Sequence, residues 1–328
     1  MQLKSLTTYF DPFVASILLI LALGILIPID QSWITFLQQV GTWAVTTLFF
    51  VYGMRLPTKE VWQGLTNGRL QLSILAATFL VFPLLGLLFA KAFTPILGAT
   101  FALGVLYLSL LPSTVQSSVS FTSIAGGNIA GAVCAATISN ISGMFITPLL
   151  VWIFMGANTG ISTDSVVDVL SKLLLPFVLG QLLQPFVGTW VRRAKYLTKA
   201  VDRGTILIVV AAGISGATAR GLWSTVTGWQ VLWLMVVSAL LLFILLALTW
   251  AWGSHLALPY GDKVALLMCG SKKSLATGLP MAAIIFSPQV VAAVTIPVIV
   301  FHQIQLVVAA VLARRLAIHS VGEKESTW

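Results

Sequence analysis

Charge is what this chain has least of. Of its 328 residues only 8% are charged, and just nine are acidic. A soluble domain carries about a quarter charged residues. A chain with 58% hydrophobic residues and a mean hydropathy of +1.01 therefore cannot hide its apolar surface in one water-facing globule. Lipid must be its main solvent. Cysteine is also scarce. Cys134 and Cys269 both fall inside apolar runs, which argues against a disulfide-built extracellular domain and a thiolate metal cluster. No phosphate loop, metal-ligand motif, serine–histidine–acid set or paired intramembrane acids occur. Those absences argue against an ATP-driven pump, a metalloenzyme and an intramembrane protease. The expectation is a protein that is not an enzyme and has no cofactor and no metal. The net charge of +9 does not point to nucleic acid, because the positive residues lie in short segments between apolar runs.

What is present is a succession of apolar segments. A spanning helix needs about 20 mostly apolar residues. Ten segments qualify, at roughly 13–28, 36–54, 70–90, 96–125 (interrupted), 128–154, 166–188, 204–221, 229–253, 263–286 (interrupted) and 289–313. Lys4 and the run Phe13–Ile27 have the outline of a signal peptide. Pro28 and Asp30 follow in place of a small-residue cleavage site, so the run reads as a retained first span. With the N-terminus placed inside, 13 of the 18 Lys and Arg fall in inside segments, clustered at Arg55–Arg69, Arg192–Arg203 and Arg314–Lys324. Only Lys91 and Arg220 fall outside, and Lys172, Lys272 and Lys273 fall within spans. This bias predicts a multi-pass protein of the cell (inner) membrane with both termini cytoplasmic. Of the acidic residues only Asp168 falls within an expected span, four residues from Lys172, where the two can pair on one helix. Trp223 and Trp229 sit near span ends, as interfacial anchors do.

Two spans are interrupted. The fourth breaks at Leu111-Pro112-Ser113-Thr114-Val115-Gln116-Ser117-Ser118. Proline removes a helix donor and pushes its predecessor out of helix. The ninth breaks at Cys269-Gly270-Ser271-Lys272-Lys273-Ser274, and a lysine pair at membrane depth is costly unless it faces a cavity or a partner. Each break lies in the fourth span of a five-span half. Because five is odd, the halves 1–155 and 156–328 are expected to have inverted topology. Paired interruptions in an inverted repeat point to a transport site near the midplane. Ordinary proline or glycine kinks are the structural alternative, but kinks rarely bring runs of Ser, Gln and Lys with them.

At these residues the chain resembles the bile acid:sodium symporter superfamily. It is most similar to the SBF-like branch, to which the seventh member of solute carrier family 10 is related. The likeness is carried by Leu111–Asn128, Phe145–Leu149, Leu175–Leu179, Cys269–Ala276 and Phe301–Gln305, and covers nearly the whole chain. The resemblance implies an all-α polytopic fold of ten helices, with a core of spans 3–5 and 8–10 and a panel of spans 1, 2, 6 and 7. It also implies that broken helices 4 and 9 cross. Characterised symporters of the superfamily bind two sodium ions near that crossing, through a carboxylate and amides on the ninth helix and Ser, Asn and Thr from the fourth and fifth. This chain departs there, with Lys272 and Lys273 in the ninth-helix break and no acid.

The candidate substrate- or ion-binding residues are therefore Gln116, Ser117, Ser118, Thr137, Asn140, Ser271, Lys272, Lys273, Ser274, His302 and Gln303. The oxygens among them suit a cation, which two ammonium groups would oppose. Either lysine can instead supply a fixed or proton-exchanging positive charge, favouring an organic anion beside broken-helix N-termini. Adjacent lysines point about 100° apart on a helix, so one of them can equally cap helix-end carbonyls as pure structure. His302 is a proton carrier or a packed core residue. Asn128 and Ser142 add to the polarity of the fifth span, and Gly127-xxx-Gly131 fits close helix packing. The expected function is secondary transport of an organic anion or similar small solute by alternating access, with Na+ or H+ as coupling ion and the lipid bilayer as the other partner. The alternative, implied by eukaryotic relatives of the branch, is a membrane regulator of calcium homeostasis without transport of its own.

Overall fold

A computed structural model describes residues 12–56, 67–159, 163–224 and 226–325. Lys4, Asp11, Lys59 and Glu60 lie outside them, and the expected Asp168–Lys172 pair lies outside the described side chains. Among the described residues all regular structure is helical. Helix α1 spans Pro12–Leu26, with Pro12 at a first position where its missing N–H costs nothing. Helix α2 spans Gln31–Arg55 and stops at Leu56, which is extended ahead of Pro57. Helix α3 (Gly68–Ala76) is capped by Asn67 and passes through a π-turn, Ala77–Val81, into α4 (Phe82–Leu110). Then follow α5 (Gln116–Ile124), α6 (Ile129–Thr159), α7 (Thr163–Arg193), α8 (Lys195–Ala219), α9 (Gly228–His255), α10 (Tyr260–Gly270), α11 (Leu275–Ile285) and α12 (Pro288–Glu325).

Among the described residues seven helices are long and apolar enough to cross a membrane, and Gly68–Leu110 counts among them as one run. The sequence separates that run into spans at 70–90 and 96 onward. Within it only Gly98 leaves helical geometry, at φ 73 and ψ 162. Glycine tolerates positive φ, so the chain turns at one residue without a loop. Helices α5, α10 and α11, with 9, 11 and 11 residues, are each too short to cross alone.

Several helices begin earlier than hydropathy indicates. Helix α8 starts at Lys195 rather than near 204, and α10 at Tyr260 rather than 263. The apolar window locates only the hydrocarbon-facing part of a helix, and polar first turns extend beyond it. Asp202 and Asp262 therefore stand within helices, each ahead of the apolar window that marks the expected span.

The chain divides into two compact units. The first holds Met1–Pro57, Gly156–Trp229 and Leu279–Thr295, and the second Thr58–Met155, Gln230–Gly278 and Ile296–Trp328. In the first unit α2 packs on α7 and α8, and α1 packs on α8. Helices α2 and α7 touch backbone to backbone. A Cβ on Gly53 would lie 2.1 Å from the Phe177 carbonyl oxygen, and one on Gly180 would lie 2.1 Å from that of Phe50. Small residues allow such approach where no hydrophobic force draws helices together in lipid. Arg55 closes the end of α2 with an ion pair to Asp202, 3.1 Å long. In the second unit α3, α6 and α10 meet through Leu70, Ile74, Ala132, Ala135, Ala265 and Leu266. Outward-facing apolar side chains, such as Phe186 at 84% exposure, are left for lipid.

The tight α2–α7 crossing yields a prediction. Gly53→Ala should lower stability by about 1–3 kcal/mol through overpacking, read as an earlier thermal midpoint in detergent. Gly68→Ala, whose Cβ would meet nothing within 4 Å, serves as the neutral control.

Candidate functional site: two broken helices joined at their breaks

The second unit contains both interruptions. Helix α4 ends because Leu111, preceding Pro112, is extended at φ −75 and ψ 156. Helix α10 ends at Gly270, and α11 restarts at Leu275. A helix broken at membrane depth exposes carbonyls at one end and amides at the other, and lipid cannot satisfy them. The two breaks satisfy each other. The Ser274 amide donates to the Pro112 carbonyl at 2.8 Å. The Ser113 hydroxyl donates to the Cys269 carbonyl at 2.6 Å, and the Ser118 hydroxyl to the Met268 carbonyl at 3.0 Å. These are last-turn carbonyls of α10, so the polar run after Pro112 caps the helix it meets.

Neighbouring helices complete the arrangement. From α6, Ser139 accepts from the Ser113 amide at 2.9 Å, Asn140 donates to the Ser113 carbonyl at 2.8 Å, and Thr147 donates to the Leu110 carbonyl at 2.8 Å. From α12, the fully buried Gln305 grips the Lys273 backbone with both ends of its amide, each bond 2.9 Å long. Gln305 also bonds the His302 Nδ1 at 2.8 Å, which ties His302 to the break between α10 and α11. The close approach needs small residues. A Cβ on Gly143 would lie 2.7 Å from the Pro112 ring, and one on Gly278 2.4 Å from Leu111.

The lysines are each 1% exposed, yet their surroundings differ. Lys273 Nζ donates to the Leu111 carbonyl at 2.6 Å and the Thr78 carbonyl at 2.8 Å, and lies 4.2 Å from the Phe82 ring centroid. The Thr78 carbonyl is available for a reason visible in the chain. In the π-turn the Phe82 amide bonds the Ala77 carbonyl instead, and the next residue, Pro83, has no N–H. Lys272 Nζ makes one longer bond, 3.3 Å to the Ser117 carbonyl, and lies 4.3 Å from the Phe121 ring.

Of the residues singled out from sequence, Ser118, Asn140, Lys272, Lys273 and Ser274 meet at the breaks, with Ser117 reached through its carbonyl and His302 through Gln305. Ser271 turns back onto the Leu267 carbonyl of its own helix, and Thr137 onto that of Val133. Gln116 is exposed at the start of α5, and the side-chain nitrogen of Gln303 is buried without a partner. Ser113, Ser139, Thr78, Thr147 and Gln305 do as much as any residue chosen. Pro83 was the signal for Thr78, since a proline inside a span frees a carbonyl.

A second polar cluster lies in the same unit. Asp262, in the first turn of α10, accepts from Asn67 and Asn128, each at 2.7 Å. Those asparagines cap α3 and α6 by accepting from the Leu70 and Gly131 amides. One carboxylate thus faces three helix N-termini, where negative charge is stabilising.

These features define an all-helical polytopic membrane protein with two interrupted helices joined at their interruptions. The chain belongs to the SBF-like CPA transporter family, whose model matches residues 11–318. Protein PA2026 of Pseudomonas aeruginosa is 40% identical, covering 94% of this chain and 93% of its own. "Putative symporter YfeH" of Escherichia coli is also 40% identical, over 93% and 92% of the two chains. Sodium/bile acid cotransporter 7 of Mus musculus is 26% identical over 82% and 80%.

The reciprocal capping generates a prediction. Ser113→Ala leaves the Cys269 carbonyl buried and unpaired, and should cost about 1–3 kcal/mol. The readout is thermal unfolding of the purified protein, with Ser254→Ala, which loses only a bond to its own exposed helix, as comparison.

Proposed function

We propose that this chain is a secondary transporter of an organic anion or similar small solute, coupled to Na+ or H+ and working by alternating access. The reading places it in the cell inner membrane, with ten spans in two inverted five-helix repeats, 1–155 and 156–328, and both termini in the cytoplasm. Core spans 3–5 and 8–10 would rock against panel spans 1, 2, 6 and 7. The observation that carries it is the meeting of two helix breaks around a buried lysine pair. A protein needing only anchorage gains nothing from exposed helix ends at membrane depth.

Other observations support the architecture. Counting α4 as turning at Gly98, and each broken pair as one span, gives ten. The inside assignment gains support from Asn67, Asn128 and Asp262, which come from three separate segments placed on the cytoplasmic side and hydrogen-bond to one another. Arg220 and Pro288, from two segments placed outside, are joined by a 2.6 Å bond. An anion is favoured because no carboxylate among the described residues contacts the lysine pair. The names of the relatives, "Putative symporter YfeH" and sodium/bile acid cotransporter 7, support transport and suggest bile acids as first probes.

Purified protein in liposomes should accumulate a radiolabelled bile acid, or a smaller carboxylate from the same panel, under an imposed Na+ or H+ gradient. It should not do so when both gradients are collapsed. The absence of concentrative uptake under either gradient across the panel would contradict the proposal.

A further inference from the structure

Lys272 and Lys273 are adjacent and equally buried, yet they are hydrogen-bonded to different extents. An ammonium carries three donors. Lys273 directs two of them at carbonyls, 2.6 and 2.8 Å away, and lies over the Phe82 ring at 4.2 Å. Both carbonyls are helix-discontinuity oxygens. That of Leu111 ends α4, where the dipole is negative, and that of Thr78 is released by the π-turn ahead of Pro83. Two carbonyls and an aromatic face form a cation cage, and the chain supplies the cation on a tether. The Gln305 amide locks the backbone that carries it.

Lys272 is placed differently. Its single 3.3 Å bond goes to Ser117, in the first turn of α5. That partner is a carbonyl oxygen, and with the Phe121 ring at 4.3 Å it occupies less of the ammonium than the two short carbonyl bonds occupy of Lys273. A buried ammonium with donors left over suits an anion with several acceptor oxygens, such as a carboxylate or sulfonate.

We infer that the pair divides its labour: Lys273 is the resident cation that bolts the two helix breaks together, and Lys272 is the contact for the anionic group of the solute. The Lys272 half rests on the transport reading, whereas the Lys273 half stands without it.

The experiment compares Lys273→Ala, Lys273→Met and Lys272→Met for yield of monodisperse protein, thermal midpoint and uptake. Loss of the bolt should lower the midpoint of both Lys273 variants by about 10 °C, or collapse their yield below that of Lys272→Met. In Lys273→Ala the missing atoms correspond to n-propylammonium. Adding it during solubilisation or expression should restore at least half of the lost midpoint or yield, and n-propanol, of similar size but neutral, should not. Lys272→Met should keep a near-native midpoint while uptake falls about tenfold or more, with Lys272→Arg recovering part of it. The Lys273 assignment is overturned if Lys273→Met is as stable as the native protein, or if propanol rescues Lys273→Ala as well as propylammonium. The Lys272 assignment is overturned if Lys272→Met takes up the anion at the native rate, or loses as much midpoint as Lys273→Met. If the native protein itself shows no uptake, the transport reading fails, and the stability arms still decide the role of Lys273.

Discussion

A backbone interrupted inside lipid must find hydrogen-bond partners within the protein, and this constraint organises the second unit. One break would leave a set of carbonyls and amides that no solvent can reach. Two breaks brought together solve the problem jointly. Pro112 ends one helix and offers its own carbonyl to Ser274 of the other. Ser113 and Ser118 return the favour by capping Cys269 and Met268. Every hydroxyl in this exchange comes from a segment whose polarity would otherwise be hard to reconcile with its surroundings. Side chains from α6 and α12 supply what remains. The glycines at 143 and 278 leave the room that such close contact requires.

Charge then distinguishes this arrangement from a purely structural knot. Carbonyl ends of helices attract cations, and here the Lys273 side chain is placed on the one that ends α4. Beside it Lys272 makes one 3.3 Å bond to a carbonyl, and no acid of this chain among the described residues pairs with it. The opposite polarity occurs at the far ends of α3, α6 and α10, where Asp262 sits between two asparagine caps. There the anion is supplied by the chain itself. Comparison of the two places isolates what is unusual about the breaks, namely two buried ammonium groups with no carboxylate beside them among the described residues.

Much of this was legible in the residues. Membrane residence followed from composition, and the breaks were marked by Pro112 and by the Gly270–Lys273 run. The pairing of those breaks was expected from their matching places in the two five-span halves that hydropathy suggests, and hydrogen bonds between Pro112, Ser113, Cys269 and Ser274 join them. Other features were hidden for identifiable reasons. The turn at Gly98 leaves helical hydrogen bonding almost continuous, so its signature is one dihedral angle rather than a polar loop. Asp202 and Asp262 read as loop residues because hydropathy senses only the lipid-facing length of a helix. Of the candidate site residues, Thr137 and Ser271 spend their hydroxyls on their own helices, a choice that local spacing permits but does not announce. Gln305 mattered more than its neighbour Gln303, because only one of the two faces the Lys273 backbone. Which face of α12 that is depends on packing, which no single segment encodes.

The central claim is that two helices are broken in the membrane and held to each other at their breaks. A density map of the protein in a lipid nanodisc, resolved to the level of side chains, tests it most directly. The account predicts non-helical backbone at residues 111–115 and 271–274, with the Ser274 amide on the Pro112 carbonyl near 2.8 Å and the Lys273 ammonium on the Leu111 carbonyl. Continuous helix through either segment, or breaks separated beyond hydrogen-bonding distance, would contradict it.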